Sequence, residues 1–120
     1  MKKLKVGPGL EDGVSQGPLI DRAALDKVEE HVADAKSKGA KVALGGARHE
    51  RGGTFYQPTV LTDATTEMKV TREETFGPVA PLFRFKTEEE GVALANDTEF
   101  GLASYFYARD MGRIWRVGEA

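Results

Sequence analysis

The stretch that most narrows the possible folds is "DRAALDKVEEHVADAKSKGAKVALGG", Asp21 to Gly46. Leu25, Val28, Val32 and Ala35 recur at three- and four-residue spacing, which gathers them on one face of an α-helix and requires a surface to cover that face. Asp21 stands where an N-cap side chain can accept from the first turn, Lys36 and Lys38 suit the last turn, and Gly39 stops the helix. "KVALGG" follows as a short strand, so a helix, a glycine and a strand come in quick succession.

The alternation continues along the chain. "TFYQPTVL" reads as a strand in which Pro58, lacking an N–H, marks an edge or a bend. "VAPLFRF" reads as a half-buried strand, with Val79, Phe83 and Phe85 on one face and Arg84 and Lys86 on the other. "TEEEGVALAN" carries Thr87 with Glu90 three residues on, the reciprocal capping pattern, and three glutamates where the helix dipole favours negative charge. Gly91 weakens this helix by roughly 1 kcal/mol relative to alanine. "LASYFYA" predicts a further strand, and Asp110 caps a closing helical segment in which Met111, Ile114 and Trp115 share a face. Strands alternating with amphipathic helices predict an α/β layer architecture around a mostly parallel sheet.

At 120 residues the chain fits one domain, 1–120, with no separate second domain. "MGRIWRVGEA" stops with its apolar face unfinished and "KKLKVG" resembles the tail of something begun earlier, so the chain is expected to be a piece cut from a larger protein. A formal charge of −2 leaves no basic stripe for phosphate backbones, and nucleic acid is not an expected partner. Nothing approaches the roughly 18 apolar residues of a membrane span, and "MKKLKVGPG" lacks the apolar stretch of a signal peptide. A cytoplasmic location with no membrane partner is expected. The absence of cysteine excludes a disulfide framework, a thiolate nucleophile and a sulfur-ligated zinc in this segment.

Several short patterns carry less than they promise. "GVSQG", Gly13 to Gly17, matches G-x-S-x-G, but no strand precedes it and Pro18 follows it, against the strand–turn–helix context a nucleophilic serine requires. His31 reads as a boundary residue beside the apolar stripe, and His49 lies in a polar loop without ligand spacing to it. "NDT" at Asn96 fits the end of the preceding helix, because asparagine tolerates the left-handed conformation there. No G-x-G-x-x-G or phosphate-loop pattern is present.

"REETFGPVAP", Arg72 to Pro81, is different. It places two adjacent carboxylates and an aromatic ring directly before a strand, at a sheet edge of the kind where α/β proteins bind ligands. An ionised carboxylate only accepts hydrogen bonds, and the vicinal hydroxyls of a ribose supply two donors, while Phe76 can pack against a flat ring. The residues alone favour a solvated acidic turn with Phe76 anchoring the loop in the core.

Together with its neighbours this stretch resembles the aldehyde dehydrogenase superfamily. The family's Glu-Glu-x-Phe-Gly-Pro signature is matched by Glu73, Glu74, Thr75, Phe76, Gly77 and Pro78, and its Ala-Asn-x-x-x-(Tyr/Phe)-Gly-Leu-Ala segment by Ala95, Asn96, Phe100, Gly101, Leu102 and Ala103. "QGPLID", "GAKVALGG" and "TFYQPTVLTD" match in the family's order, so the resemblance covers essentially the whole chain. "NDTEFGLASYFYARD" and "RIWRVGEA" are most similar to succinate-semialdehyde dehydrogenases.

The resemblance implies part of an aldehyde dehydrogenase catalytic domain that uses NAD or NADP, in a parent that is a homo-oligomer. It assigns the nicotinamide-side ribose hydroxyls to Glu74, the nicotinamide end to Phe76 and the adenine-side ribose to Lys27. It leaves Glu73 solvated beside Arg72. Ala24 stands where the family often has glutamine, and Thr75 where it usually has isoleucine. Family members attack the aldehyde with a cysteine thiolate, pass a hydride to the dinucleotide and hydrolyse the thioester. With no cysteine here, the segment supplies no catalytic residue, and the isolated chain is expected to be inactive. The alternative is a stand-alone, non-catalytic nucleotide-binding or scaffolding module.

Overall fold

The computed structural model describes residues 1–101 and 103–120. Leu102, which completes the second family segment, lies outside the described residues. The chain forms two compact units, 1–84 and 85–120.

The first unit is built on α1 (Arg22–Ser37), whose apolar stripe meets a sheet as its spacing requires. Asp21 Oδ1 accepts from the Ala24 N–H at 2.8 Å, the N-cap bond the sequence predicts. At the other end Gly39 adopts φ 101°, Gly39 N donates to Lys36 O and Ala40 N donates to Ala35 O. Those two bonds define a Schellman motif, and its hydrophobic clasp is the buried Ala35–Ala40 pair.

Three short strands form the sheet, in the order β1 (Lys41–Leu44), β2 (Thr59–Thr62) and β3 (Val79–Pro81). The architecture is α/β as expected. The expected parallel pairing holds for β2 with β3, whereas β1 runs antiparallel to β2 with a register shift between Val42 and Leu44. The reason is the connection. Residues 45–58 contain no helix and fold back through the Arg48–Tyr56 bridge, whereas α2 (Lys69–Arg72) lies in the crossover that a parallel pair needs.

Both predicted strands are shorter than their sequence patterns. β2 begins only after Pro58, and β3 ends at Pro81, the residue types that cannot donate to a ladder. Val79 and Phe83 still pack on the core, with Leu25, Val28, Val32, Tyr56, Leu61 and Met68 at its centre.

In the second unit, α3 (Glu88–Asn96) starts at Thr87, whose side chain accepts from the Glu90 N–H, while Glu90 Oε2 accepts from the Lys86 N–H. The capping pattern is therefore realised with its return bond one residue further back than predicted. The helix closes without a left-handed residue: Asp97 has φ −79°, and Asn96 Nδ2 donates to Ala120 O. α4 (Met111–Glu119) is capped by Asp110, as expected, and Glu88 pairs with Arg113 and Arg116.

The strand expected over "LASYFYA" is not formed among the described residues. Its residue types favour a pleated surface, but a strand exists only with a neighbour to pair with, and Ser104 to Tyr107 have none within this unit. No helix among the described residues is long and apolar enough to cross a membrane.

Candidate functional site

The Glu-Glu loop is held by α1 and α2 before it reaches β3. Asp34 on α1 fixes the start of α2: its Oδ2 accepts from Lys69 N at 2.8 Å and its Oδ1 meets Lys38 Nζ at 2.8 Å. Lys38 Nζ also donates to Glu67 O, and Lys69 Nζ pairs with Glu30. α2 then ends with Glu73 N donating to Lys69 O, and Glu73 itself is extended, with φ −120° and ψ 141°.

An extended backbone sends alternate side chains to opposite sides. Glu73 and Thr75 take one side and meet the same residue: His31 Nε2 lies 3.2 Å from Glu73 Oε2, and His31 Nδ1 lies 2.6 Å from Thr75 Oγ1. Glu74 and Phe76 are both exposed, Phe76 at 75%. The loop next crosses α1 at Val28, so closely that a Cβ on Gly77 would stand 2.4 Å from Val28 Cγ2. Pro78 O accepts from Thr59 N, which docks the end of the loop on β2.

Two expectations change here. His31 is not a boundary residue: it is 1% exposed, inside the apolar stripe. Glu73 is not simply solvated beside Arg72, because it bonds to that buried ring.

Lys27 is exposed on α1, one turn before His31, and so lies on the helix that the loop crosses. Among the described residues Glu74 and Lys27 form no ion pair or side-chain hydrogen bond. An outward carboxylate with all its acceptor capacity open, two residues from an exposed ring, fits a ligand that presents two hydroxyl donors next to a flat heterocycle.

The structure places Ser15 on a loop, not on the strand–turn–helix that a nucleophilic serine requires. Its Oγ accepts from Lys5 N, neither histidine contacts it, and His49 Nδ1 accepts from Arg51 N. No cluster of metal-ligating side chains occurs among the described residues.

The Asp34 carboxyl is held below the usual carboxylate range, first by its hydrogen bond with Lys38 and then by the Lys69 N–H. A carboxyl depressed in the folded state contributes its full stability above the unfolded pKa, about 3.9, and loses it as pH falls through the folded value. The anchorage of α2 should therefore weaken only below about pH 4. Urea midpoints between pH 5 and pH 2.5 check this: Asp34→Asn should flatten part of the acid loss, and an unchanged acid profile would contradict the assignment.

The model for the aldehyde dehydrogenase family matches residues 1–120, and the chain belongs to that family. Over 120 residues it is 63% identical to succinate-semialdehyde dehydrogenase (NADP(+)) of Escherichia coli (strain K12), all of this chain against 25% of that protein. It is also 63% identical over 116 residues to 3-sulfolactaldehyde dehydrogenase of Pseudomonas putida, 97% of this chain against 24% of that protein. Among solved structures, succinate-semialdehyde dehydrogenase from Burkholderia pseudomallei superposes with a TM-score of 0.95 at 62% identity, covering 98% of this chain and 24% of that one. The chain thus spans about a quarter of the length of the relatives it matches.

Proposed function

We propose that this chain is the cofactor-facing segment of an NAD(P)-dependent aldehyde dehydrogenase that oxidises succinate semialdehyde to the dicarboxylic acid. The observation that carries the reading is Glu74, exposed, unpaired and fixed on an anchored loop beside Phe76. Its two oxygens accept from the 2′- and 3′-hydroxyls of the nicotinamide-side ribose, Phe76 flanks the nicotinamide end, and Lys27 serves the adenine-side ribose. The bound dinucleotide supplies the hydride acceptor: aldehyde, water and NAD(P)+ become carboxylate, NAD(P)H and protons.

This segment's part is positioning, because a carboxylate gripping sugar hydroxyls is not placed to form a covalent acyl intermediate. The thiolate nucleophile comes from another part of the enzyme. Two relatives of equal identity are named for different aldehydes, succinate semialdehyde and 3-sulfolactaldehyde, and both molecules carry an anionic group besides the aldehyde. These names support an anionic aldehyde as the substrate class, with succinate semialdehyde its proposed member.

The test is an assay of the intact enzyme with succinate semialdehyde and with an uncharged aldehyde of equal length, using NAD and NADP, beside the 120-residue chain alone. Preferred oxidation of the anionic substrate by the intact enzyme, with none by the chain alone, is expected. Aldehyde oxidation by the purified chain would overturn the positioning role. Tight dinucleotide binding by that chain would favour a stand-alone module, since most contacts of a dinucleotide should lie elsewhere.

A further inference from the structure

Glu73 and Thr75 flank Glu74, and both end on one buried imidazole. A carboxylate only accepts, so His31 Nε2 carries the hydrogen directed at Glu73. The Thr75 hydroxyl, which can donate or accept, pairs with Nδ1 at 2.6 Å whether that nitrogen is bare or protonated. Every polar atom of the ring is thereby used, and no buried side-chain N or O among the described residues lacks a partner. Glu74, between the two clamped residues, is exposed and has no ion pair or side-chain hydrogen bond among the described residues.

We infer that His31 is a positioning residue, a buried clamp that grips Glu73 and Thr75 and so presents Glu74 outward to the dinucleotide ribose. The inference rests on the assignment of Glu74 to that ribose. It gives Thr75 a specific duty, because valine has the same shape but cannot hydrogen-bond to Nδ1. Removing the hydroxyl strands a buried ring nitrogen and should release the loop to other arrangements, each with Glu74 displaced.

The test uses the intact enzyme, with Thr75→Val, Thr75→Ser and Glu74→Ala compared by initial rates and by hydrogen exchange of the peptide over residues 73–78. Thr75→Val should raise the dinucleotide KM about tenfold, leave the aldehyde KM unchanged and speed exchange in 73–78 alone. Thr75→Ser, which keeps the hydroxyl, should restore both readouts. Glu73→Ala, at a half-exposed position, is a second variant that removes the other grip without opening the core, and should act in the same direction.

If Glu74→Ala weakens the dinucleotide while Thr75→Val and Glu73→Ala change neither KM nor exchange, the clamp is wrong and the ribose assignment stands. If Glu74→Ala leaves dinucleotide KM untouched, the ribose assignment fails. The exchange data then decide the clamp by themselves, and unchanged exchange overturns it.

Discussion

Replacing Glu74 by alanine in the intact enzyme is expected to lower kcat/KM for the dinucleotide roughly a hundredfold, with little change in the aldehyde KM. Hydrogen bonds to a charged partner contribute about 1.5–3 kcal/mol each when the partner is lost. Two of them, each at the low end of that range, come to about 3 kcal/mol, which corresponds to a factor of somewhat over a hundred. Glutamine keeps an acceptor oxygen but loses the charge, so Glu74→Gln should fall between alanine and wild type. Initial rates with the dinucleotide as varied substrate measure the effect, and an alanine variant with wild-type kcat/KM would contradict it.

The second large effect is expected from Gly77→Ala. The glycine does not adopt a left-handed φ, so the demand on it is purely steric: an added Cβ would stand 2.4 Å from Val28 Cγ2. Overpacking of this kind costs about 1–3 kcal/mol. The strain also pushes the loop away from α1, so dinucleotide KM should rise together with the loss of stability. Val28→Ala removes the methyl that is struck, and the double variant should recover part of both losses even though Val28→Ala alone leaves a cavity. Urea unfolding of the four proteins gives the coupling. Strict additivity would mean that the loop does not rest on Val28.

The helix and its ends were legible because each signal is local. Asp21, the apolar stripe and Gly39 fix α1 within its own sequence, and the structure shows the predicted cap and stop. The sheet was less legible, because strand length and direction depend on partners. Pro58 and Pro81 trimmed two strands, the helix-free return over residues 45–58 made one pair antiparallel, and "LASYFYA" kept its strand-like composition without pairing in its own unit.

At the site, Glu74, Phe76 and Lys27 follow from the family resemblance, whereas the burial of His31 does not. Its position three residues after Val28 and four before Ala35 already placed it on the buried stripe, but a histidine there is read as a boundary unless its polar partners are known. Those partners, Glu73 and Thr75, are more than 40 residues away in sequence and come to it only when the loop folds over the helix. Asp34 was missed for the same reason: its duty as an anchor for α2 is a contact between helices, and no local pattern announces it.

The most direct measurement is a crystal structure of the intact enzyme soaked with dinucleotide. Both Glu74 carboxylate oxygens are expected within about 2.6–3.2 Å of the two nicotinamide-side ribose hydroxyls, with Glu73 and Thr75 still on His31. A bound dinucleotide whose ribose is held by other groups, with Glu74 turned inward or paired to a structural cation, would contradict it.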